Sequence, residues 1–131
     1  MSAALIAGVA LGGAAGATLR HLAVAGLASG TFPRGTVVAN TVGSAVLGAT
    51  LGWADVRGLG DVVTAVLATG LAGGLTTFST LAVDALRLAR GGRPPHLWTY
   101  LALTGALGIA AAWAGFAAFS AVASGTGPPV S

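Results

Sequence analysis

The side chains with chemistry to offer are few, and most fall in one stretch: Gly70-Leu71-Ala72-Gly73-Gly74-Leu75-Thr76-Thr77-Phe78-Ser79-Thr80. Four hydroxyls and one aromatic ring follow two adjacent glycines inside an otherwise apolar segment. A glycine pair weakens a helix, and backbone unwound in hydrocarbon persists only where protein buries it or water reaches it. A helix broken here presents carbonyl oxygens at the end of its first half and N–H groups at the start of its second. The oxygens suit a small cation, and the positive dipole end suits an anion. Each hydroxyl taken singly has a plainer use, bonding back to a carbonyl one turn earlier.

Other positions carry polar groups into apolar surroundings. Asn40 brings two donors and one acceptor, which serve either a bond between helices or a donor facing an anion. Arg20 has three uses: snorkelling to the headgroups, anchoring two helices, or drawing anions to a vestibule. The Phe78 ring packs in a core or offers an anion its positive edge. Tyr100 and Thr104 stand four apart, on one helix face, as a polar track or as interfacial residues. Asp84 and Arg87 are three apart and expected to pair. Asp84 is the only acid inside an apolar segment, so its neutralisation removes the relay that a proton-coupled antiporter needs.

What positions these groups follows from composition. The chain has 131 residues, 55% hydrophobic and 7% charged, and its mean hydropathy is +0.89. A soluble domain carries roughly 25% charged residues, so this surface is built for lipid. Apolar segments at about 3–28, 35–54, 62–88 and 97–123 each reach the ~20 residues that cross a bilayer. They predict one four-helix transmembrane domain over 1–124, with the third helix broken near Gly73–Thr77. The first segment lacks a basic lead and is read as a retained span rather than a cleaved signal. A disordered tail is expected over 125–131. Trp53, Trp98 and Tyr100 sit at span ends, as interfacial aromatics do, whereas Trp113 lies deeper and is read as packing. Gly12/Gly16, Gly48/Gly52 and Gly70/Gly74 are small-xxx-small pairs that bring helix backbones together.

Charge and cysteine narrow the function further. The net charge of +3 comes from six arginines and three aspartates, without lysine or glutamate. The arginines are scattered at segment ends, which speaks for orientation in a bilayer rather than nucleic-acid binding. Arg20, Arg34, Arg87, Arg90 and Arg93 gather toward the first and third links, against Arg57 alone in the second. That bias places both termini outside the cell. The absence of cysteine excludes disulfides and thiolate chemistry. His21 and His96 are isolated and do not form a metal site.

Three stretches together resemble the Fluc/CrcB family of fluoride channels over essentially the whole chain. They are Gly12-Gly13-x-x-Gly16-x-x-x-Arg20, Gly35-Thr36-x-x-x-Asn40-x-x-Gly43-Ser44, and Gly73-Gly74-Leu75-Thr76-Thr77-Phe78-Ser79-Thr80. The resemblance implies a non-enzymatic fluoride channel of the cell (inner) membrane, an antiparallel dimer with two pores along its interface. It implies a structural sodium ion on the main-chain carbonyls of Gly73 and Thr76. It places Asn40 and Phe78 at the pore, with Thr77, Ser79 and Thr80 beside them, a polar track at Tyr100 and Thr104, and Arg20 as an anchor or vestibule charge. Leu81 stands where family members commonly carry a second phenylalanine; the partner of opposite orientation is an identical chain or a related subunit, and a related subunit could supply the missing ring. Two other readings fit a chain of this kind. A small proton-coupled multidrug transporter is disfavoured by the lack of glutamate, and a non-conducting subunit would use its glycines for packing alone.

Overall fold

The computed structural model describes residues 1–125, and among these there are helices and no strands. The expected tail lies, Gly125 apart, outside the described residues. Helix α1 (Ala3–Gly26) starts where the Ser2 hydroxyl accepts from the Leu5 N–H at 3.2 Å, satisfying one of the orphan donors of its first turn. Helix α2 (Arg34–Arg57) follows Pro33 and ends at Gly58. The third span begins as α3 (Asp61–Thr64), widens into a π-helix (Ala65–Ala72) and returns as α4 (Gly73–Leu75). After Thr76 and Thr77 it resumes as α5 (Phe78–Arg90). Helix α6 (Pro94–Gly125) opens on two prolines, at positions where a missing N–H costs nothing. Each of the three links turns on a glycine in the left-handed region, Gly30 at φ 74°, Gly58 at 67° and Gly92 at 67°.

Four stretches, Ala3–Gly26, Arg34–Arg57, Asp61–Arg90 and Pro94–Gly125, are long and apolar enough to cross a membrane. Their packing is inside out relative to a soluble bundle. Small residues such as Gly16, Ala39, Gly48 and Ala72 are buried, while Leu11, Leu22, Ile109 and Trp113 project outward. Trp113, expected to pack, does so on one side only. Its ring stands edge to face with that of Phe116 at 6.5 Å, yet 69% of the residue is exposed on the single chain.

The small-residue pairs hold the bundle together. Helix α1 lies along the π-helix and α4, where a Cβ on Gly16 would overlap the Leu71 carbonyl and come 2.8 Å from the Leu75 nitrogen. A Cβ on Gly74 would overlap Gly13 in the same way. Helices α2 and α6 make the longest contact, with Gly48 against the backbone of Ala112 and Gly52 against that of Phe116. Such close approach replaces the hydrophobic drive that lipid removes. The third span changes neighbours midway. Its first half packs on α1 and α2, and α5 packs on α6.

Candidate functional site

The change of neighbours occurs at Thr76 and Thr77, whose dihedrals are extended: φ −81°, ψ 153° and φ −152°, ψ 126°. Two extended residues inside a span free several main-chain groups, and the chain answers them with side chains. The Asn40 amide clamps Thr77 from both sides, its oxygen accepting from the Thr77 N–H at 2.8 Å and its Nδ2 donating to the Thr77 carbonyl at 3.2 Å. Arg20 Nη1 donates to the Thr76 carbonyl at 3.3 Å, so the arginine anchors α1 to the interrupted span. Side chains from the first two spans therefore converge on two consecutive peptide groups of the third.

Hydroxyls complete the local network. Thr77 Oγ1 caps α5 by accepting from the Thr80 N–H at 3.2 Å. It also donates to Thr80 Oγ1 at 3.2 Å and lies 3.2 Å from Ser79 Oγ. Thr76 turns back, its hydroxyl donating to the Ala72 carbonyl at 3.0 Å. Gly43 makes room for that residue, since a Cβ there would sit 2.5 Å from the Thr76 methyl. An open-sided groove of about 330 Å³ lies beside the clamp, lined by Asn40, Ser44, Thr76, Thr77, Phe78 and Leu81. Phe78 stands on its rim with 81% of its surface exposed. One Nδ2 hydrogen of Asn40 has no acceptor among the described residues.

Tyr100 and Thr104 are placed elsewhere. Tyr100 is fully buried, 0% exposed, with the edge of Phe32 against it at 5.9 Å and its hydroxyl donating to Asp84 at 3.4 Å. Thr104 donates to the Tyr100 carbonyl at 2.7 Å. Asp84 also accepts from the Thr36 hydroxyl at 2.8 Å and pairs loosely with Arg87 at 3.7 Å. This second polar cluster joins α2, α5 and α6 in the buried centre around Val37, Leu88 and Tyr100. Thr36 and Ser44 belong to the stretch of α2 that carries the resemblance, but the sequence assigned them no role of their own. The available signal was their spacing of four from Asn40, which puts Thr36, Asn40 and Ser44 along one side of α2.

Whether the interruption suits the cation implied by the resemblance depends on its oxygens. The Gly73 carbonyl receives only the Thr76 hydroxyl, at 3.5 Å, and the Thr76 carbonyl only the Arg20 guanidinium. Neutral main-chain oxygens short of helical donors are the ligand type a hard cation takes. One chain offers two of them, so a two-fold mate would make four. The donor chemistry fits, with the positive charge of Arg20 working against it at Thr76.

Comparison with known proteins places this geometry. Residues 7–116 match the family described as CrcB-like protein, Camphor Resistance. The chain is 43% identical over 124 residues to the fluoride-specific ion channel FluC of Methanopyrus kandleri, covering 92% of both chains. It is 42% identical over 109 residues to FluC 2 of Rhodococcus jostii, covering 82% of this chain and 92% of that one. It is 42% identical over 96 residues to FluC of Aromatoleum aromaticum, covering 70% of each. With four apolar spans and a match of that extent, this integral membrane protein belongs to the CrcB-like family.

Proposed function

We propose that the chain is one subunit of a fluoride-selective channel, which lets fluoride leave the cell passively through two pores in an antiparallel dimer. The observation that carries this reading is the unfinished groove: an exposed Phe78 ring beside a clamped Asn40, both walls of a site open on its third side. Fluoride is small and binds water tightly, so its path must replace that water with donors and positive ring edges. The second Asn40 Nδ2 hydrogen, the hydroxyls of Thr77, Ser79 and Thr80, and the edge of Phe78 are such groups. An antiparallel mate closes the groove and brings a second ring opposite Leu81. Tyr100 backs this wall from behind, holding α5 on α6 through Asp84, and Thr104 bonds to the Tyr100 carbonyl on the same helix. Relatives that carry the name of ion channels support transport rather than catalysis, and no reaction is assigned.

Efflux from vesicles containing only this protein tests the reading. Fluoride efflux is the expected result, with chloride retained. Phe78→Leu should slow it about tenfold, the loss equivalent to ~1.4 kcal/mol, because a ring edge contributes on that scale. Efflux of a lipophilic cation coupled to protons, or no flux from a correctly assembled dimer, would reject the proposal.

The same proposal includes a structural sodium ion held by the main-chain oxygens of Gly73 and Thr76 in both subunits. Bound there, the ion would neutralise oxygens left over by the interruption. Replacing sodium with a large organic cation is then expected to lower the thermal midpoint of the dimer. An unchanged midpoint across both salts, at matched ionic strength, would remove the ion from the account.

A further inference from the structure

A larger cavity, about 390 Å³, opens where the first link, 27–33, meets the third, 91–93, at one end of the bundle. Three of the six arginines of the chain, Arg34, Arg87 and Arg93, line it. Asp84 is the only acid there, and it is already engaged by Thr36, Tyr100 and Arg87. Two positive charges are thus left without a counter-charge at a membrane face. Arg93 is steadied by donating to the Thr31 hydroxyl, and Arg34 has no acceptor among the described residues. The Arg87 side chain is 78% exposed and sits 3.7 Å from its carboxylate, an ion pair of the weak surface kind, free to turn to a stronger acceptor. Leu27, Phe32 and Leu88 add apolar groups to the lining.

We propose that this cavity binds the phosphate group of an anionic phospholipid. Arginine forks match phosphate oxygens, and basic pockets between spans at a membrane surface are where anionic headgroups settle. Free phosphate shares the charge but has no use for the apolar groups. A lipid uses both, its phosphate among the arginines and its glycerol and first methylenes along Leu27, Phe32 and Leu88. The site shares no lining residue with the groove at Asn40 and does not depend on which ion the protein conducts. In an antiparallel pair, one such site would face each leaflet.

Thermal unfolding of the full chain in neutral detergent tests this. Phosphatidylglycerol is expected to raise the midpoint by about 5 °C at saturating lipid, and phosphatidylcholine and inorganic phosphate to leave it in place. Arg34→Gln and Arg93→Gln should lose most of that shift. Arg90→Gln, at the same end but outside the cavity, should keep it. An equal shift with inorganic phosphate would make this an anion site and reject the lipid. Equal loss in Arg90→Gln would reduce the effect to diffuse charge and overturn the site. Native mass spectrometry of the wild-type protein gives a second reading independent of mutant folding. Retention of phosphatidylglycerol over phosphatidylcholine supports the proposal, and indiscriminate retention defeats it.

Discussion

Asn40→Ala is expected to cut fluoride efflux by about a hundredfold or more while the protein still assembles. The reasoning starts from the two bonds at 2.8 and 3.2 Å that the amide makes to Thr77. Alanine leaves the Thr77 N–H and carbonyl unpaired in a partly buried place, at roughly 1–3 kcal/mol for each group. The extended pair would relax toward a geometry that satisfies them, and the hydroxyls of Thr77, Ser79 and Thr80 move with it. Every 1.36 kcal/mol added to a barrier is about a factor of ten, so the combined loss of position and donor reaches two powers of ten. Ser44→Ala is the contrast, because Ser44 lines the same groove without holding backbone, and its effect should stay within about threefold. Efflux at the wild-type rate from purified Asn40→Ala dimers would show that the clamp has no part in conduction.

The largest effect on folding is expected from the smallest change, Gly48→Ala. Its new Cβ would overlap the Ala112 carbonyl, backbone against backbone, where no side-chain rotation can relieve it. Overpacking of this kind costs roughly 1–3 kcal/mol or more, and the contact it separates, α2 with α6, is the most extensive in the chain. The expected readout is loss of the monodisperse dimer in detergent, or a fall of about 10 °C in its thermal midpoint. Gly105→Ala provides the control on the same helix pair: nothing lies within 4 Å of its Cβ, and helix propensity favours alanine by about 1 kcal/mol. If both variants behave alike, helix propensity rather than close approach governs the glycines of this bundle.

The four spans could be read from the chain because length and hydropathy fix them without knowledge of neighbours. The small-residue pairs were equally legible, since a spacing of four defines a face whatever meets it. Which face meets which partner was not. Tyr100 and Thr104 do share a face, but that face turns to Asp84 and Phe32 inside the bundle, and nothing local to α6 encodes this. Arg20 admitted three readings because its bond is to Thr76, 56 positions away. Gly73 and Gly74 read as helix breakers, yet both keep helical geometry. The missing side chain of Gly74 serves the approach of Gly13, and the extended residues are the two threonines that follow. Trp113 packs on Phe116 while most of it stays exposed, and hydropathy could not tell these sides apart because in a membrane the outside of a protein is as apolar as its core.

The π-helical turns at Ala65–Ala72 leave no periodic trace in the sequence, and they change what kind of alteration the third span can absorb. A π-helical stretch arises when an α-helix holds one residue more than its turns require. That surplus residue lies between Val66, against which Gly12 packs, and Thr77, which Asn40 grips, and both contacts keep their places around it. A substitution in this stretch alters one side chain and leaves the phase intact. A one-residue deletion inside the stretch would let it close into ordinary α-helix and leave Thr77 at Asn40, whereas one in the regular helix after Ala72 would turn all that follows by about 100° and carry Thr77 away. Among relatives, then, a one-residue gap should be tolerated within this stretch, with α-helix in place of the π-helical turns, and be rare between Gly73 and Thr77.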